Sequence, residues 1–205
     1  MEDVMNPSVL ELGTGAIKVA AVGDSLTYGY GLENRVQDAY PSILLEKLGS
    51  HYRVSNFGLS GRSLLSTTEY PYLEEKNAKL SLESEADIVI IMIGSNDSRP
   101  AFWNRKQFIK EYRELVDLYV SMPSQPDVLL VAPPYVPTSR FGINNDVVRE
   151  DLQEIIPNIA SEYGLPYVNL YPVTEGHLEY YSDGLHLTPL GNRVIAEAIF
   201  SALIR

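Results

Sequence analysis

Short apolar runs alternate along the chain with longer segments that are apolar at every third or fourth position. The first and third runs are followed directly by glycine, Gly23 and Gly94, as is typical of a strand that ends in a turn. The run over residues 86–94, ADIVIIMIG, is apolar at nearly every position, which favours a parallel strand covered on both faces. The pattern predicts five strands, over residues 17–22, 52–56, 87–93, 127–131 and 167–170.

The longer segments have the periodicity of amphipathic helices, in which apolar residues recur at spacings of three and four. Thr188 followed by Pro189 is typical of an N-cap and first helical turn, and Gly49 and Gly164 lie where helices should end. The pattern predicts helices within residues 40–49, 70–85, 104–122, 144–164 and 188–204.

Regular alternation of strand and helix predicts an α/β fold, a three-layer α/β/α sandwich around a five-stranded parallel sheet with right-handed crossovers. In such folds, ligand sites form at the carboxyl ends of the strands. No repeat, low-complexity tract or linker divides the sequence, so we expect residues 1–205 to form one domain. Residues 1–14 are the least regular part and could form an N-terminal arm.

Composition and charge restrict the possible partners. The formal net charge is −11 and no Lys/Arg cluster is present, which argues against a nucleic acid partner. The chain has no cysteine, which excludes disulfides, thiolate metal sites and a cysteine nucleophile; its three histidines are scattered, so we expect no metal site. No GxGxxG or P-loop pattern follows the first strand, so we expect no nucleotide or flavin cofactor.

Two further patterns concern the cellular location. No stretch approaches the roughly 20 apolar residues that a membrane-spanning helix needs, so we expect no association with a membrane. The N-terminal sequence MEDVMNPSVLELGTG has neither a basic start nor an apolar block, which predicts a cytoplasmic protein. A secreted chain whose leader had been removed would have the same sequence, so that alternative stays open.

Residues able to do chemistry cluster where the predicted strands end. Ser25 follows the first strand in GDSLT, Gly58 follows the second in NFGLSG, and Asn96 follows the third in GSND. Asp183 and His186 lie three residues apart in SDGLHLT, just before the last helix. Taken singly, a serine or asparagine here could cap a helix, a glycine could form a turn and a histidine could pack. Taken together, they predict a site at one edge of the sheet.

The four segments GDSLT, NFGLSG, GSND and DGLH, in this order over roughly residues 17–205, resemble the sequence blocks of the SGNH or GDSL hydrolases. The resemblance implies the flavodoxin-like fold of that family and a serine esterase mechanism. It implies that Ser25 is the nucleophile, that His186 is the general base and that Asp183 orients the imidazole. It further implies an oxyanion hole made by the backbone N–H groups of Ser25 and Gly58 and by the side-chain amide of Asn96.

These roles agree with the chemistry of the residue types. A serine hydroxyl is a weak nucleophile unless a base removes its proton, and an imidazole can do so near neutral pH. Glycine allows the backbone to approach closely, and asparagine supplies a neutral hydrogen-bond donor. Asp24 and Asp97 flank the motif residues but have no proton-transfer role in this scheme, so we expect them to accept hydrogen bonds from loop backbone.

The substrate must be inferred from the loops. The segments SNDSRPAFW and APPYVPTSRFG follow the third and fourth strands, and we expect Arg99, Trp103 and Tyr135 to contact substrate there. The first of these segments resembles that of bacterial family members that act on acetylated carbohydrates. The expected substrate is a small-molecule or carbohydrate ester with a short acyl group, most simply acetyl. Two alternatives remain open: a lysophospholipase or thioesterase of the same superfamily, and a catalytically silent ligand-binding or scaffold protein.

Overall fold

The computed structural model describes residues 15–204, in which five parallel strands form one sheet. The strands are β1 (Ile17–Gly23), β2 (Tyr52–Asn56), β3 (Ile88–Met92), β4 (Asp127–Ala132) and β5 (Tyr167–Asn169). Their spatial order is β2-β1-β3-β4-β5, and every neighbouring pair is parallel. This is a doubly wound order, in which the strand sequence reverses at β1 and β3. The predicted five-stranded parallel sheet is confirmed.

Helices cover both faces of the sheet. They are α1 (Ser25–Tyr28), α2 (Arg35–Asp38), α3 (Tyr40–Leu48), α4 (Lys76–Leu82), α5 (Arg105–Val120), α6 (Gln153–Tyr163), α7 (Tyr171–Thr174) and α8 (Pro189–Leu203). Alternate residues of β1 point to opposite faces: Ala20 and Val22 pack with side chains of α4, α5 and α6, whereas Val19 and Ala21 pack with side chains of α3 and α8. The three predicted layers are therefore confirmed.

The predicted strands agree with the structure to within one residue at each end, and the predicted helix ends at Gly49, Gly164 and Thr188 are also found. Two predicted helices are less regular than expected. Residues 70–85 contain a 3-10 turn at Tyr72–Glu74 and then α4, because the backbone is extended at Glu75. Residues 144–164 begin with a π-helical segment, Val147–Leu152, before α6. Pro157 within α6 has no N–H with which to continue the regular ladder.

Two sequence-based predictions are not decided by this structure. The possible N-terminal arm, residues 1–14, lies outside the described residues. That the whole chain forms a single domain stays a prediction. Within residues 15–204, no helix combines the length and the apolar character needed to cross a lipid bilayer.

Candidate active site

Ser25 lies at the carboxyl end of β1, as the first residue of the short helix α1. Asp24 caps this helix, because its Oδ1 accepts a hydrogen bond of 2.9 Å from the Leu26 N–H. Gly29 ends the helix in the left-handed conformation, with a φ of 86°. The short capped helix fixes the position of the Ser25 hydroxyl at the edge of the sheet, where the side chain is 6% exposed.

Asp183 and His186 share one tight turn before α8. Asp183 Oδ1 accepts hydrogen bonds from the backbone N–H groups of Leu185 (3.1 Å) and His186 (2.8 Å), so the carboxylate itself closes the turn. The His186 carbonyl accepts from the Ser182 N–H at 2.9 Å, which holds the other side of the turn. The three-residue spacing thus places acid and imidazole next to each other through local hydrogen bonds.

A continuous chain of hydrogen bonds joins the three predicted catalytic residues. His186 Nε2 lies 3.2 Å from Ser25 Oγ, and His186 Nδ1 lies 2.7 Å from Asp183 Oδ2. Because an ionised carboxylate can only accept, Nδ1 carries the ring proton and Nε2 is left as an acceptor facing the serine. Partial burial alone would raise the pKa of Asp183, but the hydrogen bonds from the His186 ring and from the two backbone N–H groups outweigh it and lower that pKa.

Asn96 approaches the same place from the end of β3. It begins a single 3-10 turn, Asn96–Ser98, and its side chain is 4% exposed. Its Nδ2 donates to the Arg62 carbonyl at 3.0 Å and lies 3.5 Å from Asp24 Oδ2, while its Oδ1 accepts from Arg99 Nη2 at 2.9 Å. One amide hydrogen is therefore bound to the Arg62 carbonyl, and the second makes only the long contact with Asp24, the residue before Ser25.

The Gly58 N–H, which was predicted to be an oxyanion donor, has a hydrogen-bond partner within its own loop. It donates to Asn56 Oδ1 at 2.9 Å. The absence of a side chain at Gly58 has a different reason: a Cβ there would lie 2.3 Å from the Tyr28 nitrogen. Gly58 therefore lets the loop after β2 pass close to the backbone of α1. Asn56 Nδ2 strengthens this contact by donating to the Thr27 carbonyl at 2.8 Å.

A second glycine of the same loop, Gly61, differs from Gly58 in exposure, in backbone conformation and in the space around it. It is exposed, its φ is 76°, and a Cβ at this position would meet no other atom within 4 Å. It directly precedes Arg62, whose carbonyl accepts the hydrogen bond from Asn96. The sequence NFGLSG contains both glycines, and the hydrogen bond from Gly58 to Asn56 depends on the folded loop.

Asp24 and Asp97 are buried acceptors, as predicted. Asp97 accepts hydrogen bonds from the backbone N–H groups of Leu64 (3.0 Å) and Leu65 (2.7 Å) and so joins the loop after β2 to the end of β3. Burial raises the pKa of Asp24 to about 7, although the Leu26 N–H and the positive charge of Arg99 act to lower it. Burial also raises the pKa of Asp97 to about 7, against the two loop N–H groups, and the nearby Asp24 charge adds to the increase.

Comparisons with known proteins identify the family. Residues 21–194 match the model of the GDSL-like Lipase/Acylhydrolase family, which covers most of the chain. The chain belongs to this family. The matched range includes Ser25, Asn96, Asp183 and His186.

Individual relatives agree with this assignment. An acetylxylan esterase of Xylanibacter ruminicola is 30% identical over 92% of this chain, and the chain spans 43% of the length of that relative. Among solved structures, the carbohydrate acetylesterase Est24 from Sinorhizobium meliloti is similar with a TM-score of 0.76, 20% identity and coverage of 92% of this chain and 98% of its own. The M. smegmatis aryl esterase has a TM-score of 0.71, 22% identity and coverage of 92% and 99%. At these identities the structural likeness establishes the fold.

Two aromatic rings flank the imidazole of this GDSL-family site, and the sequence analysis had singled out neither. The Tyr30 ring lies 4.4 Å from the His186 ring, and the Phe141 ring lies 5.1 Å from it on an edge. Tyr30 follows the α1 cap, and Phe141 belongs to the loop after β4. That loop is tied to the catalytic turn, since the Thr138 N–H donates to the Gly184 carbonyl at 3.3 Å.

Of the three residues predicted to contact substrate, two pack against other aromatic side chains, and their contact with substrate stays a prediction. The Trp103 ring packs on Phe108 at 5.2 Å, and its indole N–H donates to Asp151 at 3.1 Å. Tyr135 makes edge contacts with two tyrosine rings, Tyr171 at 5.6 Å and Tyr181 at 6.4 Å. Arg99 is at the site but is bound to Asn96. These contacts depend on tertiary packing, which the loop sequences do not reveal.

Metal-ligating residue types do not cluster in the part of the chain that the structure describes: no three His, Asp or Glu side chains of residues 15–204 form a set that could hold an ion. The groups that the structure brings to the site are the Ser25 hydroxyl, the His186 imidazole, the Asp183 carboxylate and the Asn96 amide. This arrangement is suited to acyl transfer through a serine nucleophile.

Proposed function

We propose that the protein hydrolyses short-acyl esters through a Ser25, His186 and Asp183 triad. The observation that carries the proposal is the unbroken hydrogen-bond chain from Ser25 Oγ through the His186 ring to Asp183 Oδ2, with distances of 3.2 Å and 2.7 Å. This arrangement also argues against a catalytically silent binding protein, because nothing in it serves binding alone.

In the first half of the reaction, Ser25 Oγ attacks the ester carbonyl carbon while its proton moves to His186 Nε2. Asp183 stabilises the imidazolium that forms. The tetrahedral intermediate then collapses, and Nε2 gives the proton to the departing alcohol, which leaves an acyl group on Ser25. In the second half, a water molecule gives its proton to Nε2 and attacks the acyl carbon. As the bond between the acyl carbon and Ser25 Oγ breaks, Nε2 gives this proton to Oγ, which releases the acid and restores the Ser25 hydroxyl.

The oxyanion that forms in each half needs hydrogen-bond donors that already point at it. We assign this role to the Ser25 N–H, because the first N–H groups of a helix have no partner within the helix. The second donor is the Asn96 Nδ2 hydrogen that otherwise makes only the 3.5 Å contact to Asp24. In place of Gly58, we assign the Gly61 N–H as the third donor, since it lies one residue before the Arg62 carbonyl that contacts Asn96.

The proposed substrate is an acetyl ester, most simply one carried by a carbohydrate. The Tyr30 and Phe141 rings lie 4.4 Å and 5.1 Å from the His186 ring, so two bulky side chains border the imidazole that contacts Ser25, and we expect a small acyl group there. Aromatic rings at a cleft also suit the apolar face of a sugar. The acetylxylan esterase and carbohydrate acetylesterase relatives support the same substrate class.

A chain-length series of p-nitrophenyl esters tests this proposal, with a panel of acetylated sugars as the second arm. We expect the ratio kcat/KM to be highest for acetyl and to fall with acyl length, and we expect Ser25→Ala to lose nearly all turnover. A preference for long acyl chains would favour the lysophospholipase alternative. If Ser25→Ala hydrolysed the acetyl ester at the wild-type rate, the assignment of the nucleophile would be wrong.

A further inference from the structure

Arg99 makes a single directed contact at the candidate active site, and that contact is with Asn96. Its Nη2 donates to Asn96 Oδ1 at 2.9 Å. The side-chain stem lies against Gly142, where a Cβ would be 3.9 Å from Arg99 Cγ and Cδ, and the guanidinium carbon lies 6.0 Å from the centre of the Phe102 ring. The guanidinium group is thus held on the Oδ1 side of the Asn96 amide.

This contact decides which end of the Asn96 amide can face a substrate. An asparagine amide has an acceptor and a donor of nearly equal size, so hydrogen bonds to its surroundings must fix its orientation. A guanidinium group can only donate, so Arg99 must face the oxygen. The Arg62 carbonyl can only accept, and it binds Nδ2 at 3.0 Å. Together, the two partners hold the amide with Nδ2 facing the Arg62 carbonyl and Asp24, the residue that precedes Ser25.

Without Arg99, a rotation of the Asn96 amide by about 180° would point its oxygen at the developing oxyanion, and the partial negative charge of the amide oxygen and the charge of the oxyanion would repel each other. The positive charge also strengthens the amide as a donor, because a hydrogen bond accepted by the oxygen polarises the N–H groups. Arg99 therefore affects the transition state through Asn96, with no need to touch the substrate.

The burial of Arg99 supports a functional reason for its position. Its Nε is buried and has no hydrogen-bond partner within the described residues. An unpaired buried donor is unfavourable for folding, so it needs a compensating reason. The bond to Asn96 supplies that reason. Arg99 is also close enough to Asp24 for its positive charge to oppose the increase in the pKa of that carboxyl that burial causes. The charge therefore lies near the end of β1.

We propose that Arg99 is a positioning residue that orients the Asn96 amide toward the oxyanion, and that it does not bind substrate as the sequence analysis predicted. This inference rests on the proposed esterase function. It assigns Arg99 an effect on turnover that depends entirely on Asn96.

A double-mutant cycle tests the inference with p-nitrophenyl acetate: wild type, Arg99→Met, Asn96→Ala and the double variant, each with separate kcat and KM. Arg99→Met should lower kcat tenfold to about a hundredfold, part of the effect of losing one oxyanion donor, with KM changed less than about threefold. In the Asn96→Ala background, the same substitution should change kcat less than about threefold. Arg99→Lys, which keeps the charge and a donor, should recover part of the lost kcat.

Arg113→Met is the matched control, because Arg113 forms an exposed ion pair with Glu162. It should leave kcat and KM unchanged. If Arg99→Met raised KM and left kcat unchanged, or lowered kcat equally with and without Asn96, the positioning role would be wrong. Should Arg99→Met fail to fold, the same cycle is run with Arg99→Lys. A loss of kcat on Arg99→Lys that disappears in the Asn96→Ala background supports the positioning role. An equal loss of kcat in both backgrounds overturns it. Ser25→Ala in the same assay reports separately on the proposed function.

Discussion

Asp183→Asn should inactivate the protein without unfolding it, because the turn around Asp183 dictates how an asparagine must sit. Asp183 Oδ1 accepts two backbone hydrogen bonds, at 2.8 and 3.1 Å, and Oδ2 accepts one from the His186 ring at 2.7 Å. An asparagine has only one side-chain acceptor. If its oxygen stays with the two backbone donors, its NH₂ group faces His186 Nδ1.

That arrangement forces the imidazole into the wrong tautomer. An NH₂ group donates, so Nδ1 must become the acceptor, and the ring proton moves to Nε2. Nε2 then faces Ser25 Oγ with a proton already in place and cannot act as the base. The opposite amide orientation would leave two backbone N–H groups facing a donor, at a cost of roughly 1–3 kcal/mol for each buried group.

The loss in kcat from such a tautomer change in a serine triad is on the order of 10⁴-fold, or about 5 kcal/mol of transition-state stabilisation. The assay is hydrolysis of p-nitrophenyl acetate at pH 7.5. The rate at which phenylmethylsulfonyl fluoride modifies Ser25 serves as an independent measure of the nucleophile and should fall in parallel. Thermal unfolding should show a folded variant, since both backbone hydrogen bonds remain.

Glu179→Gln is the matched control for this change. Glu179 Oε1 lies 2.9 Å from His177 Nδ1 in a second carboxylate and imidazole pair, but both side chains are about half exposed. The same exchange of carboxylate for amide should leave kcat within twofold there. An Asp183→Asn variant that kept more than a tenth of the wild-type kcat would refute the role assigned to Asp183.

Two further predictions concern stability. Gly58→Ala should lower the free energy of unfolding by about 2–3 kcal/mol, because the new Cβ would meet the Tyr28 nitrogen at 2.3 Å. Gly61→Ala should lower it by only about 1 kcal/mol, because the alanine must adopt a positive φ. Equal losses for the two variants in urea unfolding would contradict this explanation. Because burial raises the pKa of Asp97 to about 7, the folded state keeps a proton that the unfolded chain releases near pH 4. The contribution of this proton to stability is present at low pH and is lost as pH rises toward 7. The free energy of unfolding of the wild type, relative to that of Asp97→Asn, should therefore fall by up to about 4 kcal/mol between pH 4 and 8. Urea-unfolding profiles that stay parallel over this range would show that the pKa of Asp97 is not raised.

The sheet could be predicted from the sequence because its information is local. Strands such as β3 are buried on both faces and are therefore apolar at nearly every position. Since parallel strands end at a common edge, the polar residues after β1 and β3 could be expected to meet there. The 3.5 Å contact between Asn96 Nδ2, after β3, and Asp24 Oδ2, after β1, agrees with that expectation.

Other features of the site could not be predicted because they depend on side-chain hydrogen bonds within folded loops. Gly58 and Gly61 are three residues apart in one segment, and they are distinguished only by folded-state features, namely the bond from Gly58 to Asn56, the close approach of Gly58 to Tyr28 and the positive φ of Gly61. The short helices α1, α2 and α7 have too few residues to display a helical period. Tyr30 and Phe141 are 111 positions apart in the sequence, and only the fold places both beside His186.

In the proposed mechanism, the groups that perform the chemistry are distinct from those that would select the substrate. Ser25, Asn96 and the Asp183 turn are fixed by caps and backbone hydrogen bonds at the edge of the sheet, so they change little with the acyl group bound. The Phe141 side of the cleft belongs to a loop that is tied at both ends to this frame: Thr138 binds the Gly184 carbonyl, and the Asn144 N–H donates to Ser98 Oγ at 3.0 Å. Substitutions between these two anchors can alter the width of the cleft while the triad stays in place. Changes in acyl preference should therefore arise in residues 139–143, and losses of turnover for every ester should arise at the frame.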